Sequence, residues 1–198
     1  MAAAINLMDS PNRIYGIRPE YLLLAVMIFL IFALRDGQKA IEPGPEGSAH
    51  IHADFKVYMD GKGIDFSKRQ YDQRNPYIHM HMDSPYGHNV LHIEASDVPI
   101  GIFFESIGME LSKKCFASSL WERYCQTPQK RLRMFVNGVE NSEFDAYVPK
   151  DLDRILITWG SGKEDIAVQM ATVTDYACLF SRKCQGKSAD AIISFEKI

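Results

Sequence analysis

The chain has no histidine in its first 49 residues and none after position 92; all six lie between His50 and His92. It lacks a strong excess of either charge. Net charge is -3, with 22 Lys and Arg against 25 Asp and Glu, so the basic footprint that nucleic-acid binding requires is missing. Nucleic acid is therefore not an expected partner. The densest basic run, Lys130, Arg131 and Arg133, reads as a solvated strand edge. There is no nucleophile elbow, no His-Glu-X-X-His, no phosphate loop and no Cys-X-X-Cys. These absences weaken the common hydrolase, zinc-protease, nucleotide-binding and thiol-redox readings.

Long apolar runs are also scarce. The one candidate is Tyr21 to Leu34, which carries no charge but is shorter than the roughly 20 residues a spanning helix wants. Three readings compete: a signal anchor over 21–35 that stays in a membrane, a cleaved signal peptide, or a buried core helix. The anchor is preferred because Arg35, Asp36 and Lys39 follow where a small-residue cleavage site would lie. The expected organisation is a cytoplasmic segment at 1–20, the single-pass anchor, and a linker at 36–49 rich in Gly, Pro and charge. A folded domain at 50–198 would stand outside the cell membrane. Lipid, and a membrane protein complex, are the corresponding partners.

The four cysteines, Cys115, Cys125, Cys178 and Cys184, all follow that segment. Sequence alone leaves three pairings open. Two local bridges, Cys115–Cys125 and Cys178–Cys184, are preferred because each pair flanks a short segment. The second requires the chain to bend, since a straight helix would hold those sulfurs apart. Such bridges need an oxidising compartment, which sets the orientation. Four buried thiols in a reducing compartment is the alternative reading, and a metal–thiolate site a third.

What is present is a histidine pattern. His50-Ile51-His52 and His79-Met80-His81 each put two imidazoles on one side of an extended chain, because strand side chains alternate faces. His88, and His92 with Glu94, lie close by in sequence. Three or four nitrogen ligands from this set suffice for a transition metal. His79, His81, His88 and His92 flank one turn and are the foremost candidates. His50 and His52 abut the linker, and Glu94 is either a further ligand or an orienting group. Imidazole-rich ligation suits copper or zinc. Met80 and Met82 fall on the opposite strand face and read as core.

Around these residues the chain reads as an α+β domain. Phe55, Val57 and Met59 alternate with polar neighbours as a half-buried strand, and Asp60-Gly61 turns it back through Ile64 to Phe66. Short strands are expected at Ile78–Met82 and Asn89–Ala95. Pro99 opens a helix through Met109, with Ile100, Phe103, Phe104 and Ile107 as its stripe. An irregular loop lies between Cys115 and Cys125. Strands follow at 131–136, 139–144 and 153–159, then a helix from Glu164 to about Phe180, and a short strand or tail at 189–195.

The stretch from Arg131 to Gly160, with Phe135-Val-Asn-Gly138 and Asp153-Arg-Ile155, resembles the end of ubiquitin-like sulfur carriers. That resemblance implies a β-grasp-like mixed sheet with one packed helix. Those carriers end in a free Gly-Gly, whereas Gly160-Ser-Gly162 is followed by 36 more residues here, which argues against a carrier role. The whole chain also resembles a group of membrane-anchored proteins of archaea and bacteria. In these a histidine-rich sheet accompanies a tail like Val173-Thr-Asp175 and Ala177-Cys178 through Ser181-Arg-Lys-Cys184. The resemblance implies membrane attachment and carries no activity. Together these readings point to a membrane-anchored, extracytoplasmic metal-binding domain with a delivery or structural role. A metal-dependent enzyme, and an accessory subunit of a membrane complex without metal, are the alternatives.

Overall fold

The structure is a computed structural model, and it describes residues 19–35, 42–84, 86–118 and 122–184. The N-terminal segment before 19, residues 36–41 of the expected linker, and the expected strand or tail at 189–195 lie outside the described residues. The chain divides into two compact units, Met1–Ala40 and Ile41–Ile198.

The first unit carries helix α1, Pro19–Arg35. It forms where the apolar run predicts, and Tyr21, Leu23, Met27 and Phe29 expose more than half of their surface. The helix is shorter than a membrane span wants. At 17 residues the helix reaches about 25 Å, against a hydrocarbon layer of about 30 Å. Among the described residues no helix is long and apolar enough to cross a membrane.

The second unit is built on a mixed sheet. Its strands are β1 (Ile51–Met59), β2 (Lys62–Gly63), β3 (Ile78–His79), β4 (Val90–Ile93), then β8 (Arg131–Val136), β9 (Val139–Asn141) and β10 (Arg154–Gly160). The spatial order is β3-β4-β1-β10-β8-β9, with β2 pairing β1. Only the central pair, β1 with β10, is parallel among the described strands. Two tight turns take the residues that left-handed backbone requires. Asp60 and Gly61 have φ of 49° and 75°, and Asn137 and Gly138 have 53° and 84°. Positive φ at both central residues is the hairpin signature that matches strand twist.

Alternation gives the sheet two different faces. Ala53, Phe55, Val57 and Met59 of β1, with Ile155 and Ile157 of β10, enter the main core. Helix α2 (Ile100–Ser106) covers that face through Ile100, Phe103 and Phe104, none of them exposed. It is shorter than expected. Gly108, at φ 77°, lets the Met109 amide turn back onto the Phe104 carbonyl at 2.8 Å and closes the helix early.

The segment from Glu110 to Cys125 is a small sheet rather than an irregular loop: β5 (Glu110–Leu111), β6 (Cys115–Ala117) and β7 (Arg123–Cys125). Cys115 and Cys125 are directly opposed partners and are disulfide-bonded. The Trp159 indole donates to the Cys125 carbonyl at 3.0 Å, tying this sheet to β10.

The other face of the large sheet carries Tyr58, Phe135 and Leu156 under α3 (Ile166–Ala171) and a second short helix, α4 (Ala177–Phe180). One continuous helix was expected here, and the reason for the break is Asp54. Its carboxylate accepts from the Thr174 hydroxyl at 2.5 Å and from the amides of Tyr176 and Ala177 at 2.9 Å each. Those bonds hold the chain between the helices off helical geometry. Arg154 takes the carbonyls of Met170, Val173 and Thr174 in the same break. The bend that the Cys178–Cys184 bridge demands follows α4, where Arg182 adopts a φ of 55°.

Candidate metal centre

Strand register builds the site. His52 of β1 is the Cα partner of His92 of β4, and His92 is the partner of His79 of β3. Three imidazoles therefore stand side by side across three strands. All lie on the face opposite the main core, since their neighbours Ala53, Ile78, Leu91 and Ile93 are buried in that core. His50, just before β1, and His81, just past β3, extend this row by two residues, and Glu94 lies two residues beyond His92. Met80 is fully buried on the core side, as its strand phase predicts, and supplies no thioether here.

The ring nitrogens converge. His79 Nε2 lies 3.1 Å from His81 Nε2, and His81 Nε2 lies 2.7 Å from His92 Nδ1. His92 Nε2 is 2.9 Å from Glu94 Oε1, and His50 Nδ1 is 3.1 Å from Glu94 Oε2. His92 Nε2 and His50 Nδ1 are 3.5 Å apart. Two ligand sets emerge, His79, His81, His92 and His50, His52, His92, each with its ligand atoms within 4.8 Å of one another. A void of about 10 Å³ lies among His52, His81, His92 and Phe180.

Partners outside the sets orient the rings, as partners of metal-bound histidines do. His79 Nδ1 faces the Asn75 carbonyl at 2.9 Å, so it carries the proton and leaves Nε2 with a free lone pair. Ser181 donates to Asp151 at 2.6 Å, so its oxygen accepts from His52 Nδ1 at 2.8 Å. That leaves His52 Nε2 as the ligating nitrogen. Lys183 holds the other Asp151 oxygen at 2.6 Å. The Gln73 amide donates to His81 Nδ1 at 3.3 Å, which puts the His81 proton on Nε2, between His79 and His92. In this arrangement a proton occupies the place a metal ion would take.

Electrostatics favour the neutral ligand form. Burial, with His92 and His50 nearby, holds His52 down to about 3. Burial lowers His92 to about 4, although Glu94 opposes the shift. Burial, then His81, also lowers His79. Metal ligation needs uncharged imidazole, so these groups need give up little proton at neutral pH.

Of the sequence candidates, the fold gathers His50, His52, His79, His81, His92 and Glu94. It does not bring His88 into either set. β4 begins at Val90, so His88 falls in the 3-10 turn Gly87–Asn89, where period-two alternation has no hold. That turn still serves the site. A Cβ on Gly87 would lie 1.8 Å from the His81 carbonyl oxygen, so only glycine lets the turn pass against the His81 backbone. Sequence reasoning missed Asn75, Gln73, Asp151 and Ser181 as orienting residues. Ser181 had one signal available: it lies inside the loop that Cys178 and Cys184 close.

The Asp151, Ser181 and His52 chain resembles a catalytic triad in composition but not in order. A nucleophilic serine needs the imidazole between hydroxyl and carboxylate. Here the hydroxyl stands in the middle and gives its proton to the carboxylate. Beside it, His50, Asp151, Phe180, Ser181, Arg182 and Lys183 line an open cleft of about 430 Å³. No protein-family model, curated protein or solved structure matches the chain.

Proposed function

We propose that this protein binds a transition-metal ion, copper or zinc, through its histidine cluster, in a binding, delivery or structural role. The observation that supports it is the cross-strand row of His79, His92 and His52, with ring nitrogens converging at ligand spacing on a face that carries none of the main core. An imidazole set with one carboxylate suits zinc or copper(II) better than copper(I), which prefers sulfur ligands. The two disulfides support a non-reducing compartment, and we place the domain outside the cytoplasm on that ground.

Membrane attachment through α1 belongs to the same proposal, supported by exposed apolar side chains from Tyr21 to Leu30. The β-grasp reading is supported by the parallel pairing of the first and last strands of the large sheet, with an antiparallel hairpin on its far side.

The direct experiment is metal analysis of the purified full chain after incubation with zinc or copper(II) and desalting. At least one tightly held ion per chain is expected, and none in the His79→Ala/His92→Ala double variant. A wild-type chain that retains neither metal refutes the reading. A second reading, a metal-dependent enzyme, is favoured by the open cleft of about 430 Å³ that His50 lines beside the cluster.

A further inference from the structure

His92 presents its two ring nitrogens to two different donor groups. Nδ1 faces His81 Nε2 at 2.7 Å, and His79 Nε2 stands 3.1 Å further on. Nε2 faces Glu94 Oε1 at 2.9 Å and His50 Nδ1 at 3.5 Å. The lone pairs of an imidazole lie in the ring plane and diverge, so one ion cannot take both. A tetrahedral ion with metal–nitrogen bonds near 2.0–2.1 Å holds its ligand atoms about 3.3 Å apart. The contacts on both sides of His92 fall within several tenths of an ångström of that spacing.

Resting on the metal-binding reading, we propose that the cluster is a two-ion site in which His92 is the bridge. The first ion is held by His79 Nε2, His81 Nε2 and His92 Nδ1; as it binds, the proton on His81 Nε2 leaves to solvent, Nδ1 takes one up from solvent, and the Gln73 side-chain oxygen turns to accept it. The second is held by His92 Nε2, His50 Nδ1, the Glu94 carboxylate and His52. When the second ion binds, the Nε2–H bond of His92 breaks, the proton goes to solvent, and the nitrogen lone pair binds the metal. His92 becomes an imidazolate shared by two cations, and no electron changes hands. The bridging anion and Glu94 together offset part of the repulsion between the ions. This arrangement gives a role to both convergent sets at once, and to a carboxylate that contacts His50 and His92 together.

Copper(II) alone is the probe. The full chain is loaded at neutral pH and desalted; copper is counted by mass spectrometry and unpaired spin by electron paramagnetic resonance. Two coppers per chain are expected, with a spin count far below the copper count, because an imidazolate couples the two spins antiferromagnetically. His79→Ala should hold one copper with its full spin, and so should His50→Ala, whose exposed side chain makes a folding defect an unsuitable explanation. Two coppers with full, uncoupled spin, or a coupled pair that survives His50→Ala, overturn the bridge. One copper per wild-type chain also overturns it and leaves the metal-binding reading standing. No copper overturns both.

Discussion

At the scale of single residues, burial holds His52, His79 and His92 towards the neutral form. His52 and His92, lowered to about 3 and about 4, titrate near 6.5 once unfolded. Between those values the unfolded chain binds protons that the folded chain refuses. Each group's contribution is therefore fully present above about pH 6.5 and is lost as pH falls towards the folded values. Metal-free protein should lose at most about 1.4 kcal/mol per pH unit for each group over that interval. Urea melts of chelated protein from pH 7 to pH 4.5 measure the slope; stability that stays flat or rises on acidification contradicts it. Ser181 offers a second test, because it fixes the His52 tautomer without ligating. Ser181→Ala should weaken zinc binding about 10- to 100-fold with the ion count unchanged under saturating zinc. Wild-type affinity in a competition titration would show that the hydroxyl does not orient the ring. Most of the convergent imidazoles were legible in sequence, since strand alternation assigns a face wherever a strand exists. His88 stands outside both convergent sets because it precedes its strand, and Ser181 was invisible because nothing local reports a contact 129 residues away.

At the scale of elements, the telling feature is a strand residue that shapes a distant helix. Apolar spacing from Ile166 to Ala177 suits one helix, and that periodicity holds in the buried Met170, Val173 and Ala177. The break follows from long-range chemistry, the buried Asp54 carboxylate taking two amides and a hydroxyl from residues 174–177. Burial raises the Asp54 carboxyl above its usual range, and those hydrogen bonds oppose the shift. Asp54→Ala leaves two amides without an acceptor, one of them buried, and should cost about 2–4 kcal/mol in chemical denaturation. Asp54→Asn keeps one acceptor and should cost less. Equal costs for the two would mean that packing, rather than hydrogen bonding, holds the tail. The small sheet between Cys115 and Cys125 was hidden for a different reason. Strands of two or three residues give alternation too little length to register, and there the covalent bridge between directly opposed residues defines the pairing.

At the scale of the whole molecule, the sheet separates the main core from the histidine cluster by face and by position. The main core occupies one face, centred on β1, β10 and α2. The clustered histidines occupy the other face at the β3–β4–β1 end, where β3 is an edge strand of two residues, its ladder Ile78–Ile93 and His79–His92 extended by the Glu94 amide on the Tyr77 carbonyl. An edge strand with so few ladder bonds opens at far lower cost than a central one, because local stability follows local contacts. A metal ion held by His79, His81 and His92 would bind only when that edge is closed, and so would stabilise the closed form by mass action. At ligand 100-fold above Kd the gain is about 2.7 kcal/mol. Hydrogen exchange of the full chain, with zinc and with chelator, should therefore show strong slowing in peptides covering 75–82 and 90–94. Peptides covering 131–136 and 154–160 should change little, since their exchange already requires opening of the main core. Slowing spread evenly over both regions would place the ion's effect on global unfolding. Slowing confined to residues 154–160 would place the ion elsewhere on the molecule.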